Sequence, residues 1–165
     1  MRGIFIIWLG QMISGIASGI TYFALPIWIL SFTEGSGTAI GLWEFFFFGS
    51  YLLVVQFAGV LIDRYNRKLM MLVYDVSSFL VIAVLLLIDT IGKLELWHLY
   101  IAAVVLGIGF AFHSPSYSAA ITTMVSKKQY VRANGLMALI YDVPDIFAPF
   151  LGGILVLVIG FNGIL

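Results

Sequence analysis

The sequence predicts an all-α, membrane-spanning fold of five transmembrane helices. Three observations carry this. Five apolar runs are each long enough to cross a bilayer, which takes about 20 residues. Only 10% of the 165 residues are charged and mean hydropathy is +1.12, too little charge to coat a soluble domain, where about 25% is usual. The basic residues also crowd into alternate connections.

The five runs are 4–30, 39–62, 69–89, 96–124 and 133–159. The first begins like a signal peptide, with Arg2 and then an apolar stretch. It continues unbroken to Leu30, however, too long for a signal-peptide core. The others are bounded by short polar connections. None shows the sustained alternation of a strand, and an open sheet in lipid would leave backbone groups unpaired. The five spans read as one membrane domain without linkers, and 161–165 read as the start of a sixth.

Basic residues orient the helices. With the amino terminus in the cytoplasm, the inner segments hold Arg2, Arg64, Arg67, Lys68, Lys127, Lys128 and Arg132, while the outer ones hold Lys93. Localisation to the cell membrane follows. There is no cysteine and net charge is zero, so disulfides, cysteine metal sites and a basic field for nucleic acid are excluded. No metal-ligand spacing and no cofactor motif is present.

The second span ends in G-V-L-I-D-R-Y-N-R-K, residues 59–68. A carboxylate, Asp63, stands at the cytoplasmic boundary beside Arg64, Arg67 and Lys68. Such a cluster serves either as a positive-inside anchor or as a latch between helix ends that holds one of two conformations. The fifth span carries P-D-I-F-A-P-F-L-G-G, residues 144–153. Pro149 removes a backbone hydrogen bond, and Gly152 and Gly153 permit close helix approach.

Both segments resemble motifs of the major facilitator superfamily. The first is similar to its helix 2–3 signature, G-x-L-x-D-R-x-G-R-K, matching at Gly59, Leu61, Asp63, Arg64, Arg67 and Lys68. Asn66 replaces a glycine; asparagine tolerates left-handed backbone, so the tight turn is expected to be kept. The second is similar to the antiporter motif G-x-x-x-G-P-x-x-G-G, with Pro149, Gly152 and Gly153 matching and Pro144 and Ala148 in place of the leading glycines. W-L-G-Q, A-F-H-S-P and R-A-N-G-L, at 8–11, 111–115 and 132–136, resemble the macrolide-efflux and siderophore-exporter branch. An arginine common in helix four of relatives is absent; Val105 and Leu106 stand before Gly109. The resemblance implies an incomplete six-helix half of a twelve-helix transporter, needing its remaining helices. It implies helices one, two, four and five around a substrate site, and proton-driven export of lipophilic small molecules by alternating access. No bond is made or broken, so an enzyme is not expected. Other readings are a non-transporting membrane scaffold, an inactive remnant of a truncated transporter, or an importer of small polar solutes.

Read without the family, Gln11, Ser14, Ser18, Thr21 and Tyr22 form a polar stripe along the first span. It is either a cavity wall or, with Gly15 and Gly19 nearby, a packing face. Asp142 and Asp145 share a face of the fifth span. Each carboxylate deep in a bilayer costs about 2.5–3.5 kcal/mol, while the fourteen Leu, Ile, Val and Phe residues of 133–159 return roughly 4–8 kcal/mol together. The terms nearly cancel. The acids are therefore expected to face a cavity, where they suit proton or cation binding, or to be satisfied by neighbouring helices. Asp75 reads as a partner of the basic loop or a substrate-binding group, Glu44 as an interfacial group or a gate or drug-cation contact, His98 as interfacial, and His113 as a hydrogen-bonded structural group or a proton carrier.

The orientation makes one prediction. A membrane-impermeant thiol reagent should not label Asn66→Cys from outside intact cells, and should label it once the membrane is opened. Labelling from outside would reverse the topology.

Overall fold

The computed structural model describes residues 2–124 and 130–159, which form helices joined by tight connections. The helices are α1 (Arg2–Phe32), α2 (Gly37–Arg64), α3 (Arg67–Thr90), α4 (Leu96–Met124) and α5 (Tyr130–Ile159). All five hold a stretch long and apolar enough to cross a membrane: Trp8–Phe32, Gly37–Ile62, Leu69–Thr90, Leu96–Ala119 and Ala133–Val158. Residues 125–129 and 160–165, with Lys127, Lys128 and the start of the expected sixth span, lie outside the described residues.

The connections are short because specific residues end one helix and begin the next. After α1, Glu34 takes up a left-handed conformation (φ 52°) ahead of Gly35. The Gly35 N–H then bonds the Leu30 carbonyl at 2.8 Å, the six-to-one closure of a Schellman turn. Ser36 caps α2 by accepting from the Ala39 N–H. Its cap starts α2 at Gly37, two residues before the apolar run. Gly92 (φ 65°) ends α3 in the same way as Glu34 ends α1, with Lys93 N–H bonded to the Ile88 carbonyl at 3.1 Å. At the start of α4, the Glu95 N–H donates to His98 Nδ1 at 3.1 Å, a reciprocal cap of the capping-box kind. Trp97 Nε1 donates to the Glu95 carboxylate and stacks on the His98 ring.

The α2–α3 turn is built differently from the expectation for Asn66. Tyr65 is extended (φ −112°, ψ 164°), and Asn66 is not among the residues with positive φ. Its carbonyl accepts from the Met70 N–H at 3.1 Å, the first bond of α3. Asn66 thus starts a helix rather than supplying a left-handed turn. Asparagine is well suited to this, being a strong N-cap residue.

The chain divides into two compact units. One joins Met1–Trp28 to Ile121–Leu165, so it pairs α1 with α5. The other is Ile29–Ala120, with α2, α3 and α4. In the second unit α4 lies against α2 through small residues and rings. Ala103, Gly107 and Ala111 are all buried, one turn apart, and a Cβ at Gly107 would collide with the Phe47 carbonyl and Ser50 Oγ. Phe46 meets Tyr100, and Phe47 and Tyr51 meet Phe110, at ring distances of 5.3, 6.0 and 5.6 Å. The opposite side of α3 is an exposed apolar row that includes Leu72, Val76, Phe79 and Leu87. In water that row would be unfavourable; against lipid tails it is solvated.

Because the Phe47 carbonyl as well as the Ser50 hydroxyl meets Gly107, turning one side chain away cannot absorb a substitution there. Gly107→Ala should destabilise the chain in detergent by about 1–3 kcal/mol, the usual cost of overpacking. Gly41→Ala, where a Cβ meets nothing within 4 Å, should be neutral or slightly stabilising. Equal unfolding midpoints for the two variants would refute the close α2–α4 approach.

Candidate functional site

The seam between α1 and α5 determines which faces of these helices remain open. Trp8 Nε1 donates to the Leu136 carbonyl at 2.8 Å. Further along, a Cβ at Gly15 would lie 3.1 Å from Pro144 Cγ, and one at Gly19 would lie 2.8 Å from Ala148 Cβ. At the next turn a Cβ at Gly152 would lie 2.7 Å from the Phe23 ring. Residue numbers climb together on both helices, so α1 and α5 run parallel.

This seam sets the rotation of each helix. At 100° per residue, the stripe Gln11, Ser14, Ser18, Thr21 and Tyr22 centres roughly 100° from the α5-facing line of α1. Asp142 and Asp145 centre about 110° from the α1-facing line of α5, in the opposite rotational sense. For parallel helices, opposite senses put both sets on the same side of the pair. The levels also agree, since Pro144 touches both Gly15 and Gly19 and the acids flank it. Ser18, Tyr22, Asp142 and Asp145 are exposed, and Gln11, Ser14 and Thr21 half-buried. Thr21 Oγ1 bonds the Ala17 carbonyl. The other side of the pair is apolar and exposed: Leu9 and Ile13 on α1, Phe147, Phe150 and Ile154 on α5. One side of the α1–α5 pair therefore suits water or a polar ligand, and the other suits lipid or a further apolar helix.

The helix-five motif divides between these surfaces. Pro144, Ala148 and Gly152 are buried, all on the seam. Pro149 is exposed, and a Cβ at Gly153 would meet nothing within 4 Å. α5 runs through both prolines as one helix. The packing role of Gly15 and Gly19 and the exposure of the polar stripe are thus adjacent features of one helix rather than alternatives.

In the helix 2–3 segment, Gly59 and Leu61 are exposed on α2 and Arg64 is exposed in its last turn. The side chains of Asp63, Arg67 and Lys68 lie outside the described residues. Glu44 is half-buried on α2. Asp75, on α3, is half-buried, next to Tyr74, whose ring lies 4.6 Å from that of His113 on α4. Among the described residues no cluster of His, Asp or Glu is arranged to hold a metal ion. Gly107 was also not singled out in the sequence. Its signal was legible as Ala103, Gly107 and Ala111 at four-residue spacing, the small-residue pattern of close helix packing.

Comparison with known proteins assigns this arrangement to a family. The family model for the Major Facilitator Superfamily matches residues 7–165. The chain belongs to that superfamily. It is 28% identical over 159 residues to macrolide efflux protein A of Streptococcus pyogenes, covering 96% of this chain and 39% of that protein. It is 32% identical over 124 residues to multidrug resistance protein 1 of Bacillus subtilis (strain 168), covering 73% of this chain and 30% of the relative. The chain thus spans about two fifths or less of the length of these relatives. No solved structure matches it significantly. The five membrane-crossing helices are those of a partial superfamily fold.

The two-sided character of the α1–α5 pair can be read with thiols, since the chain has no cysteine of its own. In membranes, Ser18→Cys and Asp145→Cys should react with a charged, water-soluble thiol reagent, and Ile13→Cys and Phe147→Cys should react at least roughly tenfold more slowly, because a thiol ionises poorly in an apolar setting. Similar rates at all four positions would remove the polar side.

Proposed function

We propose that this chain forms part of a proton-coupled exporter of lipophilic small molecules that works by alternating access in the cell membrane, its amino terminus in the cytoplasm. The observation that carries the reading is the shared side of the α1–α5 pair, where a hydroxyl- and amide-bearing stripe stands level with two carboxylates. Hydroxyls and an amide hydrogen-bond a substrate without demanding one shape. Two acids three residues apart share a helix face and suit a proton or a cation. The names of the relatives, macrolide efflux protein A and multidrug resistance protein 1, support the same reading.

Each group has a distinct task in this scheme. Gln11, Ser14, Ser18 and Tyr22 line the substrate path. Asp142 and Asp145 exchange a proton for substrate. The segment from Gly59 to Lys68 latches helix ends in one of the two states through Asp63, Arg64, Arg67 and Lys68. Pro144, Ala148 and Gly152 provide the surface on which α1 and α5 bear. The apolar side of the pair is covered by lipid or by further helices, which complete the substrate path from a second half.

The test is transport. Everted vesicles from cells producing the chain from its native locus, energised by a pH gradient, should accumulate a lipophilic fluorescent drug until an ionophore collapses the gradient. Asp145→Asn should lower that uptake rate by roughly tenfold, equivalent to about 1.4 kcal/mol in the limiting step. Uptake that survives both the ionophore and the double change Asp142→Asn, Asp145→Asn would overturn the proton-exchange role.

A further inference from the structure

The first turn of α4 is closed by a side chain whose acceptor a proton can remove. The helix begins at Leu96, so Glu95 is its N-cap and His98 its third residue. Glutamate or glutamine is usual at that third position, reaching back to accept the N–H of the cap residue. His98 does so here, its Nδ1 accepting from the Glu95 N–H at 3.1 Å. A carboxamide oxygen accepts at any pH, whereas an imidazole nitrogen accepts only while it carries no proton.

The rest of the turn holds the ring where it is. The Trp97 indole stacks on it with centroids 3.7 Å apart and 29° between the planes. Trp97 Nε1 in turn donates to the Glu95 carboxylate at 2.9 Å. Leu94 and Leu99, both buried, stand at the two positions of a hydrophobic staple. An indole face attracts a cation as well as packing on a neutral ring, so the imidazole keeps its place in either charge state. The Glu95 carbonyl lies 3.3 Å from Nδ1, but it already accepts from the His98 N–H at 3.0 Å, the first bond of the helix.

We propose that His98 is a proton-binding site that switches the cap of α4. Nδ1 takes a proton from water, one N–H bond forms, and the ring gains a positive charge. Nδ1–H and the Glu95 N–H are then two donors face to face, and the capping bond is lost. Nδ1–H turns to the Glu95 carbonyl, where it competes with the bond that starts the helix. A cation in the first turn also opposes the helix dipole. Acid therefore loosens the first turn, while the helix beyond it stays held by the buried Leu99, Ala102 and Ala103. Among the described residues the hydrogen bonds of this ring run to Glu95 alone. The other charged groups on adjoining stretches are Lys93 in the connection, Asp89 on α3 and Glu44 on α2.

The switch is measurable without transport, so it stands or falls apart from the exporter reading. With the ¹⁵N-labelled chain in lipid nanodiscs, exchange of the Glu95 amide with water reports the cap, after correction for the intrinsic pH dependence of exchange. Protection should fall by roughly three- to tenfold from about pH 8 to about pH 5, the range in which histidine changes charge. His98→Gln keeps an acceptor throughout and should hold the amide protected at both ends of the range. His98→Ala, with no acceptor, should leave it unprotected at both. Asp142→Asn and Asp145→Asn should leave the fall intact. Glu95 protection indifferent to pH in the unaltered chain, or a fall of equal size in folded His98→Gln, would sink the proposal.

Discussion

Close contact between α1 and α5 governs how the rest of the candidate site is presented. Gly15 and Gly19 lie against Pro144 and Ala148 with no room for another carbon. A seam that tight leaves each helix little freedom to rotate. Van der Waals packing of this kind is what holds membrane helices together, because lipid tails remove the hydrophobic drive between them. Once the seam is set, every other residue of α1 and α5 has its direction assigned. The polar stripe and the two acids come to one side, and bulky apolar side chains to the other.

The second unit uses the same device for another end. Gly107 brings α4 onto α2, and Gly109 brings Tyr74 of α3 onto α4. Aromatic rings fill the space around these points, with Phe110 touching Phe47, Tyr51 and Tyr74. Rings add offset and edge-on attraction to their buried area, and they are stiff, so the glycine contacts are held in register. Nε2 of His113, enclosed by this packing, has no hydrogen-bond partner among the described residues and is placed by the rings around it.

Membership of the Major Facilitator Superfamily agrees with this division of labour. The family match runs over nearly the whole chain, while identity to the efflux relatives is near 30%. The substitution of Pro144 and Ala148 for glycines of the helix-five motif illustrates how a seam tolerates such divergence. Gly15 and Gly19 of α1 face these two positions, so the contact is close.

Helix number and span were legible in the sequence, because apolar runs of bilayer length have one stable outcome in lipid, where each backbone group must be satisfied within its own helix. Boundaries moved by only a few residues, where caps such as Ser36 and Asn66 intervened. The polar stripe and the acid pair were visible too, since a period of 3.6 shows which residues of one helix share a face. A single-helix pattern has no reference to a second helix, however. That Gln11 and Asp145 lie on one side, that Gly153 stays open while Gly152 is covered, and that the Tyr74 ring meets His113 are matters of rotation and register between helices. Those depend on which small residues meet across a seam, and only the packed structure decides that.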